Sequence, residues 1–187
     1  MTITHPLVQE HEVILRGLDC LKTVRKRIEK NEYPPARFFD HALPFFRNYA
    51  DKRHHFKEEF LMFGLLAEKK RGELDLEIGA LRHQHDLGRQ CLTRVEASVR
   101  GYAMKNEIAV TTLLENLAAF SAILSRHIFR EDHLFFPLVE ALLSKDEKQA
   151  LTEQFLQEEQ RLNQRFPVEQ NFRDLEEMVR LAIITTE

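Results

Sequence analysis

His54 and Glu58 stand four residues apart, and so do His127 and Glu131. In an α-helix this spacing puts both side chains of a pair on one face, one turn apart. Imidazole and carboxylate both bind first-row metal ions, and a helix bundle can close such pairs around two ions. Two more histidines, His11 and His85, interrupt apolar stripes on other segments. Six residues are therefore the candidate metal ligands: His11, His54, Glu58, His85, His127 and Glu131. Four imidazoles and two carboxylates exceed the donor set of one tetrahedral zinc ion. Magnesium and calcium prefer all-oxygen shells. Iron suits the mixture, manganese less well. Two ions bridged by the carboxylates, each with two imidazoles and an open position, use the whole set.

These residues need helices to carry them. No sustained alternation of period two is present, so no strands are expected, whereas apolar residues repeat at three and four. The pattern predicts an all-α, up-down-up-down four-helix bundle over residues 1–143 and a helical extension over 144–187. The first helix starts after Pro6 and ends near Lys30, with Leu7, Val8, Ile14, Leu15, Leu18 and Leu21 as its stripe. The second runs from about Pro35 to Lys70, through Leu43, Phe46, Ala50, Leu61 and Leu65, with Pro44 able to kink it. The third runs from Leu74 to Met104, through Ile78, Leu81, Leu92, Val95 and Val99. The fourth runs from Asn106 to Leu143, through Phe120, Ile123, Leu124, Leu134 and Leu138. Ser144 and Glu147 form a capping box that opens a fifth helix. A last segment, Phe172 to Ile184, is amphipathic through Phe172, Leu175, Val179 and Ile183. It is expected to pack on the bundle or to make a dimer contact with a second copy.

Depth tests the site. At roughly 1.5 Å rise per residue, the six candidates fall in one slab near one end of an up-down bundle. A lone inward histidine is more often a core residue than a ligand. Buried glutamates are harder to explain without a metal or a partner. The alternative is a network of His–Glu hydrogen bonds in a metal-free structural bundle. His55 and Glu59 repeat the spacing on a more polar face, through Asn48, Lys52 and Met62, and are expected to be solvated or to support the ligands from outside. His85 is favoured over His83 by periodicity. His5, His41 and His133 fall off the stripes and are expected at the surface, and Tyr33, Tyr49 and Tyr102 at helix interfaces. The two His-x-x-x-Glu helices hint at an internal duplication, although their flanks differ.

Composition narrows the rest. The 187 residues carry a formal net charge of -3, which gives no sign of a nucleic-acid or acidic-membrane partner. No apolar run of roughly 20 residues is evident. The N-terminus lacks a basic stretch followed by an apolar one, so no signal peptide is expected. Cys20 and Cys91 form no CxxC, and two cysteines in this length suit a reducing compartment, the cytoplasm by default.

The stretches QEHEVILRGLD, RHHFKEEFLMF, RHQHDLGRQ and RHIFREDHLFFPL, in this order over residues 5 to 160, resemble the hemerythrin-like (HHE cation-binding) family. The resemblance implies a non-haem di-iron centre in a four-helix bundle, bridged by oxygen and two carboxylates. His11, His54, His85 and His127 would be terminal ligands, and Glu58 and Glu131 the bridges. It also implies dealings with oxygen, nitric oxide or peroxide, or repair of iron–sulfur centres. The oxygen carriers of the family have a fifth histidine, from a His-x-x-x-His pair on the third helix. Here Leu81 and Arg89 flank His85 at that spacing. Gln84 stands where many relatives have Glu, and Gly64 where proline is common. The expectation is a soluble di-iron protein that binds or reacts with a small oxidant. The alternative is a redox or oxygen sensor whose metal state alters partner binding. Manganese or a mixed-metal pair stays open. No separate general acid or nucleophile is visible, so any catalysis would rest on the metal.

Overall fold

The computed structural model describes residues 2–184, and among these there is no strand. Six helical rods follow one another. We label them α1 (His5–Glu29), α2 (38–70), α3 (Asp75–Ala103), α4 (Glu107–Leu142), α5 (Lys145–Arg165) and α6 (Val168–Ile183). The reversals are tight and place Asn31, Arg71, Gly72 and Lys105 at positive φ. Asn106 caps α4 by accepting from the Ala109 amide, and Ser144 with Glu147 closes the expected capping box at the start of α5. The rods α1 to α4 form the bundle, with α3 packed along α4. The rod α5 lies against α2, and α6 covers α1 and the first part of α2. His41 is half-buried rather than free at the surface, because its Nδ1 lies 3.0 Å from Asp174 of α6.

Two rods are not uniform α-helix. Within α2, Phe46–His55 and Lys57–Met62 are π-helical, and within α4 so is Glu131–Phe135. The wider π turn takes an extra residue and shifts the inward face of the next turns. In each of the two rods an irregular stretch lies two residues from a proline, Pro44 before Phe46–His55 and Pro137 after Glu131–Phe135, that cannot donate a ladder hydrogen bond. The expected stripes slip accordingly. Met62, Phe63 and Leu66 are buried, rather than Leu61 and Leu65. Phe135, Phe136 and Val139 are buried, whereas Leu134 and Leu138 face out. In α6 the inward face is Leu175, Met178, Leu181 and Ala182, and Phe172, Val179 and Ile183 are exposed. Only Leu175 of the expected stripe points in.

The apolar interior has two parts. One gathers Ile14, Leu18, Phe46, Leu92, Leu124 and Ile128 with the buried face of α6. The other gathers Leu7, Phe63, Leu66, Leu81, Phe135 and Phe136 with Leu151 and Phe155 of α5. Along each bundle rod the candidate polar residues fall between the two: His11 lies between Leu7 and Ile14, and His85 between Leu81 and Leu92. The result is a polar slab sealed above and below by dry core. By length and composition alone α4 is apolar enough to cross a membrane. Its Leu113, Leu117, Phe120 and Leu124 are nonetheless buried in the bundle interior.

Candidate metal centre

All six predicted residues converge in that slab, and each is at most 2% exposed. His11 comes from α1, His54 and Glu58 from the π-helical part of α2, His85 from α3, and His127 and Glu131 from α4. A seventh joins them. His55 is buried, and its ring stacks on that of His85 with centroids 3.7 Å apart. The expectation of a solvated His55 is therefore corrected. The π turns that span residues 46–55 bring the inward face round every four to five residues rather than every 3.6, and His55 comes to the centre together with His54.

Each imidazole is oriented by an oxygen at Nδ1. Asp132 accepts from His11 at 2.7 Å, Glu10 from His54 at 2.9 Å, Glu59 from His85 at 2.6 Å and Gln84 from His127 at 3.1 Å. Asp51 lies 3.4 Å from Nδ1 of His55. Carboxylates and amide oxygens only accept, so Nδ1 carries the proton and Nε2 keeps its lone pair in the neutral ring.

A repeat governs these contacts. The residue before each single histidine, Glu10 or Gln84, holds the paired histidine of another rod. The residue after each central glutamate, Glu59 or Asp132, holds a single histidine. Five residues beyond each glutamate a phenylalanine lies parallel to that histidine, Phe63 to His85 and Phe136 to His11. The two His-x-x-x-Glu helices thus share one contact pattern. Glu59 thus supports His85 from outside, and it is held in turn by Arg89 at 2.7 Å.

The Nε2 atoms and the two glutamates face one another. His54 Nε2 lies 3.3 Å from Glu58, His85 Nε2 3.4 Å from Glu58, and His127 Nε2 2.9 Å from Glu131. His11 Nε2 lies 3.3 Å from Glu131, and the Nε2 atoms of His85 and His127 are 2.9 Å apart. Yet Nε2 of His11, His54 and His55 and both oxygens of Glu58 and Glu131 are buried without a hydrogen-bond partner. Orphaned buried donors and acceptors are costly, and here they all point at shared space. Two groups result, His55, Glu58, His85 and His127, and His11, His54, Glu58 and Glu131, with the ligand atoms of each within 4.8 Å of one another.

Electrostatics points the same way. Burial works against the charge of Glu58, but His54, His85 and His127 hold its pKa well below the usual carboxylate range. Burial and the charge of Glu58 push Glu131 up. Burial opposes a charged His54, yet Glu58 and Glu10 raise its pKa to about 10. Burial takes His127 down to about 4, and burial with the neighbouring imidazoles takes His85 well below its usual range. The slab thus holds two carboxylates with too little positive charge between them, which divalent cations would supply. The donors present fit a pair of such ions.

Outside the donors, Lys57 is almost fully buried and binds Glu10 and, at 2.7 Å, Glu159 of α5. Arg53 bonds Glu159 and the Phe166 carbonyl. This buried ion network has no signal in the sequence pattern, since neither cation interrupts an apolar stripe.

The chain is 29% identical over 161 residues to an uncharacterized protein of Mycobacterium tuberculosis and to one of Mycobacterium bovis. The alignment covers 86% of this chain and 62% of each relative, so the chain spans about three fifths of the length of the curated relatives it matches. Residues 2–139, most of the bundle and the whole donor set, match the Hemerythrin HHE cation binding domain. The chain belongs to the hemerythrin HHE cation-binding family.

Proposed function

We propose that this protein holds two iron ions through His11, His54, Glu58, His85, His127 and Glu131, and that the pair binds or reacts with a small oxidant: oxygen, nitric oxide or peroxide. The observation that carries the reading is the set of buried, unpartnered Nε2 and carboxylate atoms, with the Nδ1 of each of the four histidines tied outward. Iron supplies the electron transfer and the ligand site. The protein orients the imidazoles and keeps bulk water out with the phenylalanines on either side. Imidazole with carboxylate suits iron, the donors outnumber those of one tetrahedral zinc ion, magnesium prefers all-oxygen shells, and manganese is the nearest rival. The buried cysteines are both free, in keeping with a reducing compartment such as the cytoplasm.

Metal analysis and the absorption spectrum of the air-purified protein test this reading. About two irons per chain with near-ultraviolet oxo-bridge bands, both lost in Glu58→Ala/Glu131→Ala, are expected. A folded protein that stays metal-free after anaerobic reconstitution with ferrous iron would refute it. Stopped-flow mixing with peroxide and with nitric oxide then identifies the oxidant. A second reading, a sensor, draws on the ion network that runs from His54 through Glu10 and Lys57 to Glu159 of α5. Partner capture that differs between reduced and oxidised protein, with slow turnover, would favour it.

A further inference from the structure

We infer that His55 is a fifth imidazole donor of the centre, completing the metal position framed by His85, His127 and Glu58. This rests on the two-metal reading above. In the proposed six-residue set each ion has two imidazoles. With His55 one position has three imidazoles and a carboxylate, and the other has two imidazoles and both carboxylates. The positions then differ in kind: one is nitrogen-rich, the other oxygen-rich.

Three observations carry the inference. His55 Nε2 is buried and lacks any hydrogen-bond partner, as are the Nε2 atoms of His11 and His54. Its Nδ1 faces Asp51, which Arg89 grips at 2.8 Å, so the ring has the same outward anchor as the other four. Its donor atom lies within 4.8 Å of those of Glu58, His85 and His127. A ring present only to stack on His85 needs no nitrogen there. The position that repeats His55 in the other His-x-x-x-Glu helix is Ile128, which is buried and apolar. The asymmetry is therefore introduced by this side chain alone. It also differs from a pair spaced four apart on the third helix, since the extra donor comes from the π-helical part of α2.

Cobalt(II) is the probe, added to the full-length metal-free protein and followed by calorimetry, visible absorption and X-ray absorption. His55→Phe keeps the stacked ring and the burial but removes the lone pair. His55→Gln, which offers a weaker donor, is the second variant should the first fold poorly. Wild-type protein is expected to bind two cobalt ions in two steps of unequal affinity, with five imidazoles shared between them. In His55→Phe the tighter step should weaken at least tenfold, the weaker step should hold, and one imidazole should vanish from the X-ray absorption. Two ions bound by wild type and by both variants with the same affinities and imidazole count would overturn the role of His55 and leave the two-metal reading standing. Failure of folded wild type to bind cobalt at all would overturn both.

Discussion

Asp132 accepts the Nδ1 proton of His11 at 2.7 Å from the position directly after Glu131. One short segment of α4 thus contributes a central carboxylate and also fixes the ring that reaches the centre from α1. Removing such an outer partner lowers metal affinity roughly 10- to 100-fold in other imidazole sites. Asp132→Ala should do the same here without loss of helix content, since its side chain is partly exposed. Competition against a colorimetric chelator measures it. Affinity unchanged within the error of the titration would mean that His11 is not a ligand.

Lys57 makes a different kind of contribution. Its ammonium is buried between Glu10 and Glu159. Deleting one member of a buried ion network strands the others and costs on the order of 3–5 kcal/mol. Lys57→Met should therefore lower the stability of the metal-free protein by that amount in urea unfolding. Glu159→Gln should cost less, because Glu159 is about a third exposed and water can take its place. Equal losses would show that the link to α5 matters more than the charge beneath it.

All six rods were legible in the sequence from helical periodicity and the Ser144/Glu147 capping box, and the convergence of His11, His54, Glu58, His85, His127 and Glu131 because each interrupts an apolar run at helical spacing. What escaped was the local pitch. The buried residues of α2 come as neighbours, Phe45 with Phe46, Tyr49 with Ala50, His54 with His55, Glu58 with Glu59 and Met62 with Phe63. A 3.6-residue template drifts across doublets spaced this way, and by residue 55 it has turned His55 toward the polar side. Read as doublets four to five residues apart, the same sequence signals a wider turn. The same slip moves Leu134 and Leu138 outward in α4. The outward tilt of Phe172, Val179 and Ile183 has a different origin: α6 has one broad apolar arc, its Met178, Leu181 and Ala182 side is buried, and these three residues lie along its other edge.

The imidazoles make the metal-free protein sensitive to acid. His127, at about 4, and His85 and His55 all have folded pKa values below the unfolded imidazole value near 6.5. Burial is the first cause in each. As pH falls below about 6.5 the unfolded chain takes up protons that the fold refuses, so stability falls. Glu131, raised by burial and Glu58, pulls the other way, but one group does not offset three. His54 stays charged in the fold throughout this range, and its contribution, fully present below about 6.5, is lost only as pH rises toward about 10. The melting temperature of metal-free protein should therefore drop between pH 6.5 and 4.5. His127→Gln should flatten that drop, and a drop of undiminished size would place the acid-sensitive groups elsewhere.

Gly88 borders a cavity of about 20 Å³ beside His55 and His85, with Phe120, Leu92 and Leu124 around it. That is room for about one water-sized molecule. A Cβ at Gly88 would meet the Phe120 ring at 3.5 Å, which is ordinary contact, so alanine fits. Replacing glycine within a helix by alanine stabilises by about 0.5–1 kcal/mol. Gly88→Ala should thus raise the melting temperature while shrinking the space beside the histidines. If small ligands reach the loaded centre through this cavity, azide and nitric oxide should bind more slowly in stopped-flow mixing, with little change in metal content. A more stable variant with unchanged binding rates would direct the search for the entry route to the opposite side of the slab, next to His11 and His54.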